Sequence, residues 1–230
     1  MKKIHRFITP YTVVHGKIHI TDSELIHQWK NVLKLKNGEE LLLANKDTGE
    51  VTCIVRELTK KEATLELIQQ SKVNKSPQKE VVLYMAILKK ENFELVVQKA
   101  SEIGVSKIVP LITERTIKMG IKHERLIKIA TEASELSGRN DIPEITEPMI
   151  FKDALKESRH YARRIIFNPS EHTYQTKNEK SLALFVGPEG GFTNEEIKQA
   201  EESGCEVVSL GDYILRGETA GIVASYIALN

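Results

Sequence analysis

The stretch Leu184–Glu196, LFVGPEGGFTNEE, has the pattern of a buried strand, a glycine turn and the start of a helix. A strand that enters a helix through glycines commonly holds a nucleotide phosphate. The two best-known phosphate motifs do not fit, because GPEGG has no lysine and lacks the glycine spacing of a P-loop or a dinucleotide fold. Glu189 lies in the middle of the turn, where its carboxylate would repel a pyrophosphate. The turn therefore predicts a ligand that is neutral or cationic near Glu189.

A second loop of the same kind follows further along the chain. LGDYILRGETA, residues 210–220, also leaves an apolar strand and also enters a helix. Ligands of open α/β sheets bind where loops leave the carboxyl ends of strands. Arg216 and Glu218 precede a small, apolar helical stretch, so their charges need solvent, a partner or a ligand. Taken alone, the first loop is explained by a purely structural role, in which Thr193 and Glu196 form a capping box, as well as by ligand binding. The second loop shifts the balance towards a binding site.

The pattern of apolar and polar residues along the chain predicts two domains, residues 1–72 and residues 73–230. The first contains short β-rich runs separated by turns, with one helix whose N-terminus carries a capping box of Thr21 and Glu24. These features predict a small barrel, followed by a polar linker at residues 71–80. In the second domain, apolar strands alternate with amphipathic helices, which predicts an α/β fold with a largely parallel sheet.

Composition narrows the class of protein. Hydrophobic residues make up 40% and charged residues 28% of the 230 residues, which is typical of a globular chain. No run reaches the roughly 18 apolar residues of a membrane span, and the N-terminus lacks the apolar segment of a secretory signal. Cys53 and Cys205 have no metal-binding or disulfide spacing, so we expect a cytoplasmic protein with no metal and no membrane contact. The net charge is +3 for residues 1–72, +2 for residues 73–160 and −4 for residues 161–230, so a polyanion would meet mainly the first 160 residues. An ordinary solvated surface explains this mild asymmetry about as well.

The two C-terminal loops, FVGPEGGFTNEE and LGDYILRGETA, together resemble those of the RsmE-type 16S rRNA uracil-N3 methyltransferases of the SPOUT superfamily. The resemblance extends over essentially the whole chain, through HRFI (5–8), HQWKNVLKLKNGEEL (27–41), VQKASEIGVSKIVPLITERT (97–116) and EASELSGRNDIPEI (132–145). The chain departs from the usual family residues at Lys34, Leu136 and Gly217.

The resemblance implies a fold, a cofactor and partners. The fold is a PUA-like β-barrel that recruits RNA, followed by an α/β SPOUT domain with a C-terminal trefoil knot. The cofactor is S-adenosyl-L-methionine, a sulfonium cation without a phosphate, which agrees with the glutamate in the glycine turn. The substrate is 16S rRNA, within the small ribosomal subunit, and the protein is a homodimer; the largely apolar final helix also favours a dimer. The implied cofactor-binding residues are Phe167, Asn168, Val186, Gly187, Pro188, Glu189, Gly190, Gly191, Leu210, Gly211, Ile214, Leu215, Arg216, Thr219 and Ala220.

The implied reaction indicates catalytic candidates. Uracil N3 becomes nucleophilic only as its proton leaves, and the negative charge that builds on the flanking oxygens would be stabilised by a fixed cation. Arg216 is the candidate cation, and Glu218 is either the proton acceptor or a cap of the final helix. RNA contacts are predicted at Arg6, Lys34, Arg115 and Arg139, although Arg115 could equally be an ordinary surface arginine.

Two other functions are compatible with the sequence. One is a SPOUT methyltransferase that modifies the 2′-oxygen of a ribose in rRNA or tRNA. The other is a non-catalytic RNA-binding factor in ribosome assembly. The intact GPEGG turn and Arg216 favour an enzyme over such a factor, and the LRGETA loop favours N3 over ribose chemistry through the resemblance.

Overall fold

The structure is a computed structural model that describes residues 4–71, 79–117 and 120–230. The chain forms two compact units. The first comprises residues 1–76 and 134–141, and the second comprises residues 77–133 and 142–230. The linker predicted at residues 71–80 lies outside the described residues except for its ends.

The first unit is built on a five-stranded sheet in the order β1-β3-β4-β5-β2. Its strands are β1 (His5–Ile8), β2 (Lys17–Ile20), β3 (Glu40–Asn45), β4 (Gly49–Leu58) and β5 (Ala63–Ser71). The pair β1–β3 is parallel and the other pairs are antiparallel. Alternate residues of β4 and β5, such as Val51, Val55 and Leu65, are fully buried together with Trp29. The short β-rich runs of the sequence therefore correspond to strands of this sheet, and the core between them includes the indole of Trp29.

The predicted capping box of Thr21 and Glu24 was wrong. The helix α1 (Ser23–His27) begins one residue later, with Asp22 as N-cap, and the carboxylate of Asp22 accepts a hydrogen bond of 2.9 Å from the amide of Leu25. Aspartate is a stronger N-cap than threonine, which explains the shift. A π-helical turn (Gln28–Val32) follows, and the segment then passes through Lys34 in a left-handed conformation with φ of 54°.

The second unit is built on a sheet in which every pair of strands is parallel. Its main order is β12-β10-β11-β6-β7-β8, and β9 also pairs with β7. The strands are β6 (Glu80–Ala86), β7 (Lys107–Ile112), β8 (Glu144–Ile145), β9 (Met149–Ile150), β10 (Arg163–Phe167), β11 (Ser181–Val186) and β12 (Glu206–Val208). The helices are α2 (Lys90–Ile103), α3 (His123–Ser137), α4 (Phe151–Glu157), α5 (Asn194–Glu202) and α6 (Gly217–Leu229). The last four residues of α3 belong to the first unit. The predicted largely parallel sheet is confirmed.

Helices cover both faces of this sheet, which is why its central strands are apolar throughout. Successive residues of β6 enter different cores: Leu83 packs with residues of α2, α3 and α6, and Tyr84 packs with residues of α4 and α5. The helix α4 and the short strands β8 and β9 were not predicted from the sequence. Among the described residues, no helix has the length and apolar character needed to cross a membrane.

Candidate functional site

One edge of the parallel sheet gathers the loops that the sequence singled out. Because all strands of the sheet run in the same direction, the loops after β6, β7, β10, β11 and β12 leave from the same edge. The glycine turn follows β11, and the loop that contains Arg216 follows β12 and leads into α6. The fold thus brings together two segments that lie about 25 residues apart in the sequence.

Two clefts lie along this edge. The larger has a volume of about 680 Å³ and is lined by Lys89, Asn92, Arg115, Phe167, Asn168, Pro169, the whole segment Val186–Phe192, Ile214, Leu215, Arg216, Gly217, Glu218 and Ala220. The smaller, of about 350 Å³, shares Phe167, Asn168, Pro169, Ile214, Leu215 and Ala220 with it. The rest of its lining is Ser170, Glu171, Thr173, Ser209, Leu210, Gly211, Asp212 and Tyr213.

The clefts include nearly all of the cofactor-binding residues predicted above. Of those residues, Thr219 alone lines neither cleft. Sequence reasoning missed Lys89 and Asn92, which follow the carboxyl end of β6, and it missed Phe192 and Gly217. The rule that ligands bind at the carboxyl ends of strands would have indicated Lys89 and Asn92, since both follow the apolar run of residues 81–88.

The glycine turn is shaped by its own packing. The amide of Gly191 donates to the carbonyl of Pro188 at 2.8 Å, and Gly191 has a positive φ of 67°. A Cβ atom on Gly187 would approach the Phe192 ring to 3.2 Å. A Cβ atom on Gly190 would lie 3.3 Å from Cδ of Arg115. Contacts within the protein therefore favour glycine at Gly187 and Gly190, and the backbone conformation favours it at Gly191.

Charged side chains hold the turn in place. Glu189 accepts a hydrogen bond of 3.3 Å from the amide of Lys89, at the amino end of α2, where a carboxylate is favourable. The capping box of Thr193 and Glu196 is present as predicted. Arg115 donates to the carbonyl of Gly190 at 2.6 Å. The glutamate in the turn thus has a structural partner in addition to its position in the cleft.

Arg216 and Glu218 lie at the start of α6. Arg216 is the N-cap residue and is exposed, and within the described part of the chain no hydrogen bond or ion pair engages its guanidinium. Glu218 lies in the first turn, and no side-chain hydrogen bond caps this helix. Glu218 therefore does not cap α6 through a hydrogen bond. Its carboxylate stabilises the helix only through its negative charge near the positive N-terminus.

The other RNA-binding candidates belong to the first compact unit. Arg6 pairs with Glu50 at 2.9 Å and donates to the carbonyl of Arg139 at 2.7 Å and to Oδ1 of Asn140 at 2.6 Å. Arg139 pairs with Asp141 through two hydrogen bonds and is 5% exposed. Both guanidinium groups are thus engaged inside the unit, whereas Lys34 is exposed.

The described residues contain no cluster of three or more histidine, cysteine, aspartate or glutamate side chains that could hold a metal ion. The cleft instead offers main-chain groups, aliphatic walls and a few charged side chains. Such a lining suits an organic ligand with limited charge.

Comparison with known proteins identifies two matching families. Residues 74–229 match the RNA methyltransferase domain, and residues 30–68 match the RNA methyltransferase PUA domain. The Ribosomal RNA small subunit methyltransferase E of Rickettsia conorii is 30% identical over 97% of this chain and 94% of its own length. That of Mesomycoplasma hyopneumoniae is 37% identical over 68% of this chain and 72% of its own length.

Solved structures give the same result. A Legionella pneumophila protein in complex with the bound cofactor SAM has a TM-score of 0.85 and 32% identity, covering 97% of this chain and 96% of its own. A Ribosomal RNA small subunit methyltransferase E from Neisseria gonorrhoeae, bound to S-adenosyl methionine, has a TM-score of 0.83 and 27% identity, covering 97% and 95%. The predicted fold class, a PUA-like unit followed by an α/β methyltransferase unit, is confirmed. The trefoil knot stays a prediction.

Proposed function

The chain belongs to the ribosomal RNA small subunit methyltransferase E family, and we propose that it transfers the methyl group of S-adenosylmethionine to N3 of a uridine in 16S rRNA. The observation that carries this proposal is the cleft at the carboxyl edge of the parallel sheet. There the glycine turn and the apolar residues before α6 lie beside Arg216, whose guanidinium has no partner among the described residues.

The residues of the cleft fit S-adenosylmethionine. The turn of residues 187–191 supplies main-chain groups for polar atoms, and Ile214, Leu215 and Ala220 supply aliphatic surface. Glu189 and Glu218 are tolerable beside a sulfonium cation, although they would disfavour a phosphate. The bound cofactor supplies a methyl group on positively charged sulfur, which is open to attack by a nucleophile.

The chain's own contribution to the chemistry centres on the start of α6. As uracil N3 loses its proton and forms its bond to the methyl carbon, negative charge develops on the base oxygens. The guanidinium of Arg216 and the partial positive charge of the helix N-terminus both stabilise that charge. Glu218, two residues after Arg216 in the first turn of the same helix, is the candidate acceptor of the N3 proton.

The direct test is methylation of small-subunit RNA in vitro. The protein is incubated with radiolabelled S-adenosylmethionine and either naked 16S rRNA or small subunits from a strain that lacks the enzyme. The RNA is then digested, and its nucleosides are analysed by mass spectrometry. We expect 3-methyluridine as the product. A 2′-O-methylated nucleoside, or no transfer at all to either substrate, would overturn the proposal.

The two predicted domains would divide this work, with residues 1–72 recruiting the RNA and residues 73–230 carrying out the methyl transfer. Support comes from the exposed lysines of the first unit, among them Lys34 and Lys36. Such side chains bind phosphates without reading sequence. An enzyme that modifies ribosomal RNA in this way would work in the cytoplasm.

We also propose that the protein acts as a homodimer. The only charged residue of α6 is Glu218. Tyr226 on this helix is 58% exposed, and Tyr213 and Ile214 in the preceding loop are 86% and 88% exposed. Exposed apolar side chains on a helix and on the loop before it are typical of a surface that another protein molecule covers.

A further inference from the structure

Arg115 lies on a turn whose backbone is fixed at the end of β7. The amide of Thr116 donates to the carbonyl of Thr113 at 3.2 Å, and the hydroxyl of Thr116 accepts from the amide of Thr113 at 2.9 Å. The two hydroxyl groups are also 2.8 Å apart. We call residues 113–116 the threonine turn. Because both of its ends are tied together, it can present the side chain of Arg115 in one direction.

That side chain is directed at the glycine turn. Its Nη1 atom donates to the carbonyl of Gly190 at 2.6 Å and lies 3.4 Å from the carbonyl of Phe192. The aliphatic part of the same side chain packs on Gly190, since a Cβ atom built there would lie 3.3 Å from Cδ and 3.6 Å from Cβ of Arg115. Arg115 therefore makes polar and apolar contacts with the same short segment.

The side chain of Glu196 also ties these two segments together. Glu196 is 7% exposed, and its Oε1 atom accepts a hydrogen bond of 2.9 Å from the amide of Glu114. Its Oε2 atom accepts a hydrogen bond of 2.9 Å from the amide of Thr193. Hydrogen bonds to charged groups are stronger than those between neutral groups, so Arg115 and Glu196 join the two turns firmly.

We propose that Arg115 is a positioning residue for the cofactor turn rather than an RNA contact. By holding the carbonyls of Gly190 and Phe192, it fixes the turn in one shape before the ligand arrives. Without it, a segment with glycines at positions 187, 190 and 191 would gain conformational freedom, and ligand binding would have to remove that freedom. This inference rests on the proposed function, because the cleft is taken to hold S-adenosylmethionine.

The test compares Arg115→Ala and Arg115→Lys with the wild-type protein by calorimetric titration with S-adenosylmethionine in the absence of RNA. We expect Arg115→Ala to bind about 10- to 100-fold more weakly, as loss of one or two charge-assisted hydrogen bonds implies. Arg115→Lys should recover part of the affinity through one hydrogen bond. Hydrogen exchange of the peptide that covers residues 187–193 should become faster in the cofactor-free alanine variant.

A double-mutant cycle tests whether Arg115 acts through Gly190. Gly190→Ala alone should weaken cofactor binding, because the new methyl group presses on the arginine side chain. In the Arg115→Ala background the same change should have little effect, since Cδ of Arg115, the atom closest to the new methyl group, is gone and only an ordinary contact with Cβ remains. Additive effects of the two changes would contradict the proposal.

A matched control keeps the result specific. Arg159 is an exposed arginine outside both clefts, and Arg159→Ala removes the same charge. It should leave cofactor affinity and hydrogen exchange unchanged. If Arg115→Ala binds S-adenosylmethionine like the wild type but binds 16S rRNA more weakly, Arg115 is an RNA contact and the proposal fails. If the wild-type protein itself does not bind S-adenosylmethionine, the proposed function fails instead.

Discussion

Arg216 occupies the amino end of α6, where the helix itself carries partial positive charge. A cation there is unfavourable by about 0.3–1 kcal/mol, so stability alone gives no reason for this arginine. Stabilisation of the negative charge that develops on the base during methyl transfer does give a reason for an arginine at this position. We therefore expect Arg216→Ala to lower kcat by about 100- to 1,000-fold and to leave the dissociation constant of S-adenosylmethionine nearly unchanged.

Single-turnover rates, cofactor affinity and melting temperature should be measured on one preparation of this variant. Arg216→Lys is the conservative control, and it should recover little activity, because an ammonium group cannot reproduce the planar fork of a guanidinium. A wild-type rate at saturating cofactor in the alanine variant would rule out the catalytic role. A simultaneous loss of thermal stability and of cofactor affinity would show that the role of Arg216 is structural.

Glu206 gives the second unit an acid-sensitive contact. Two hydrogen bonds from the buried Arg163, at 3.1 and 2.8 Å, lower the pKa of this carboxyl group below 4.5, its ordinary value. Because the pKa is lower in the folded than in the unfolded state, the contribution to stability is present above about pH 4.5 and disappears as the pH falls through the folded pKa.

Glu206→Gln should therefore reduce the free energy of unfolding at pH 7 by about 1 kcal/mol or less, since the carboxyl group is partly exposed. The difference from the wild type should shrink as the pH falls below about 4.5. Urea denaturation at pH 7 and pH 3.5 measures both values. An equal difference at the two pH values would show that the ion pair contributes nothing.

Helix α6 depends on its close packing against the sheet and α2. A Cβ atom on Gly221 would lie 2.9 Å from Sδ of Met85 and 3.2 Å from Cγ1 of Val96, and both side chains are fully buried. Gly221→Ala should therefore destabilise the protein by about 1–3 kcal/mol, although alanine is the better helix former. Thermal unfolding measures this change. Thr219→Ala, at an exposed position of the same helix, should not lower the melting temperature.

The elements of the second unit were predictable where pattern alone determines them. The apolar runs that form β6 and β11 carry strong local signals, and so does α2, whose C-cap residue Gly104 has a φ of 113°. The strands β8 and β9 have two residues each, too few for any period to show. They form because β7 offers hydrogen bonds along its edge, which is a tertiary effect.

The candidate site likewise has features that the local sequence determines and features that only the folded chain determines. The two loops could be predicted because each carries a glycine or charge pattern at the end of a strand. Arg115 could be recognised as a candidate, but its contact with the carbonyl of Gly190, 75 residues along the chain, depends on the neighbouring strands of the folded sheet. The engagement of Arg6 with Glu50 and Asn140 likewise arises from distant segments. Sequence reasoning could find charged residues, but it could not show which of them have internal partners.

At the scale of the whole molecule, the first unit includes residues 134–141, so removal of the N-terminal 74 residues would also take away the partners of this segment. Surface substitutions in the full chain are the better test of RNA recruitment. Lys34→Glu with Lys36→Glu should weaken binding of 16S rRNA and make it less dependent on salt, because fewer counterions are released. Cofactor affinity should not change.

Lys60→Glu with Lys61→Glu, in the exposed turn between β4 and β5, is the matched control with the same change in net charge. Filter binding at several salt concentrations measures both double variants. Equal losses in the two would indicate that only the total charge of the unit matters, whereas a selective loss at Lys34 and Lys36 would locate the RNA surface.

The proposed homodimer can be tested by measuring the mass of the protein in solution. We expect light scattering at micromolar concentration to give twice the mass of the 26.0 kDa chain. Tyr226→Glu should shift the protein to the monomer, because it buries a carboxylate in a surface that would otherwise be apolar. Lys152→Glu introduces the same group on α4, which packs on the other face of the sheet, and it should leave the dimer intact. A monomeric wild type would refute the dimer, and a dimeric Tyr226→Glu variant would move the interface away from α6.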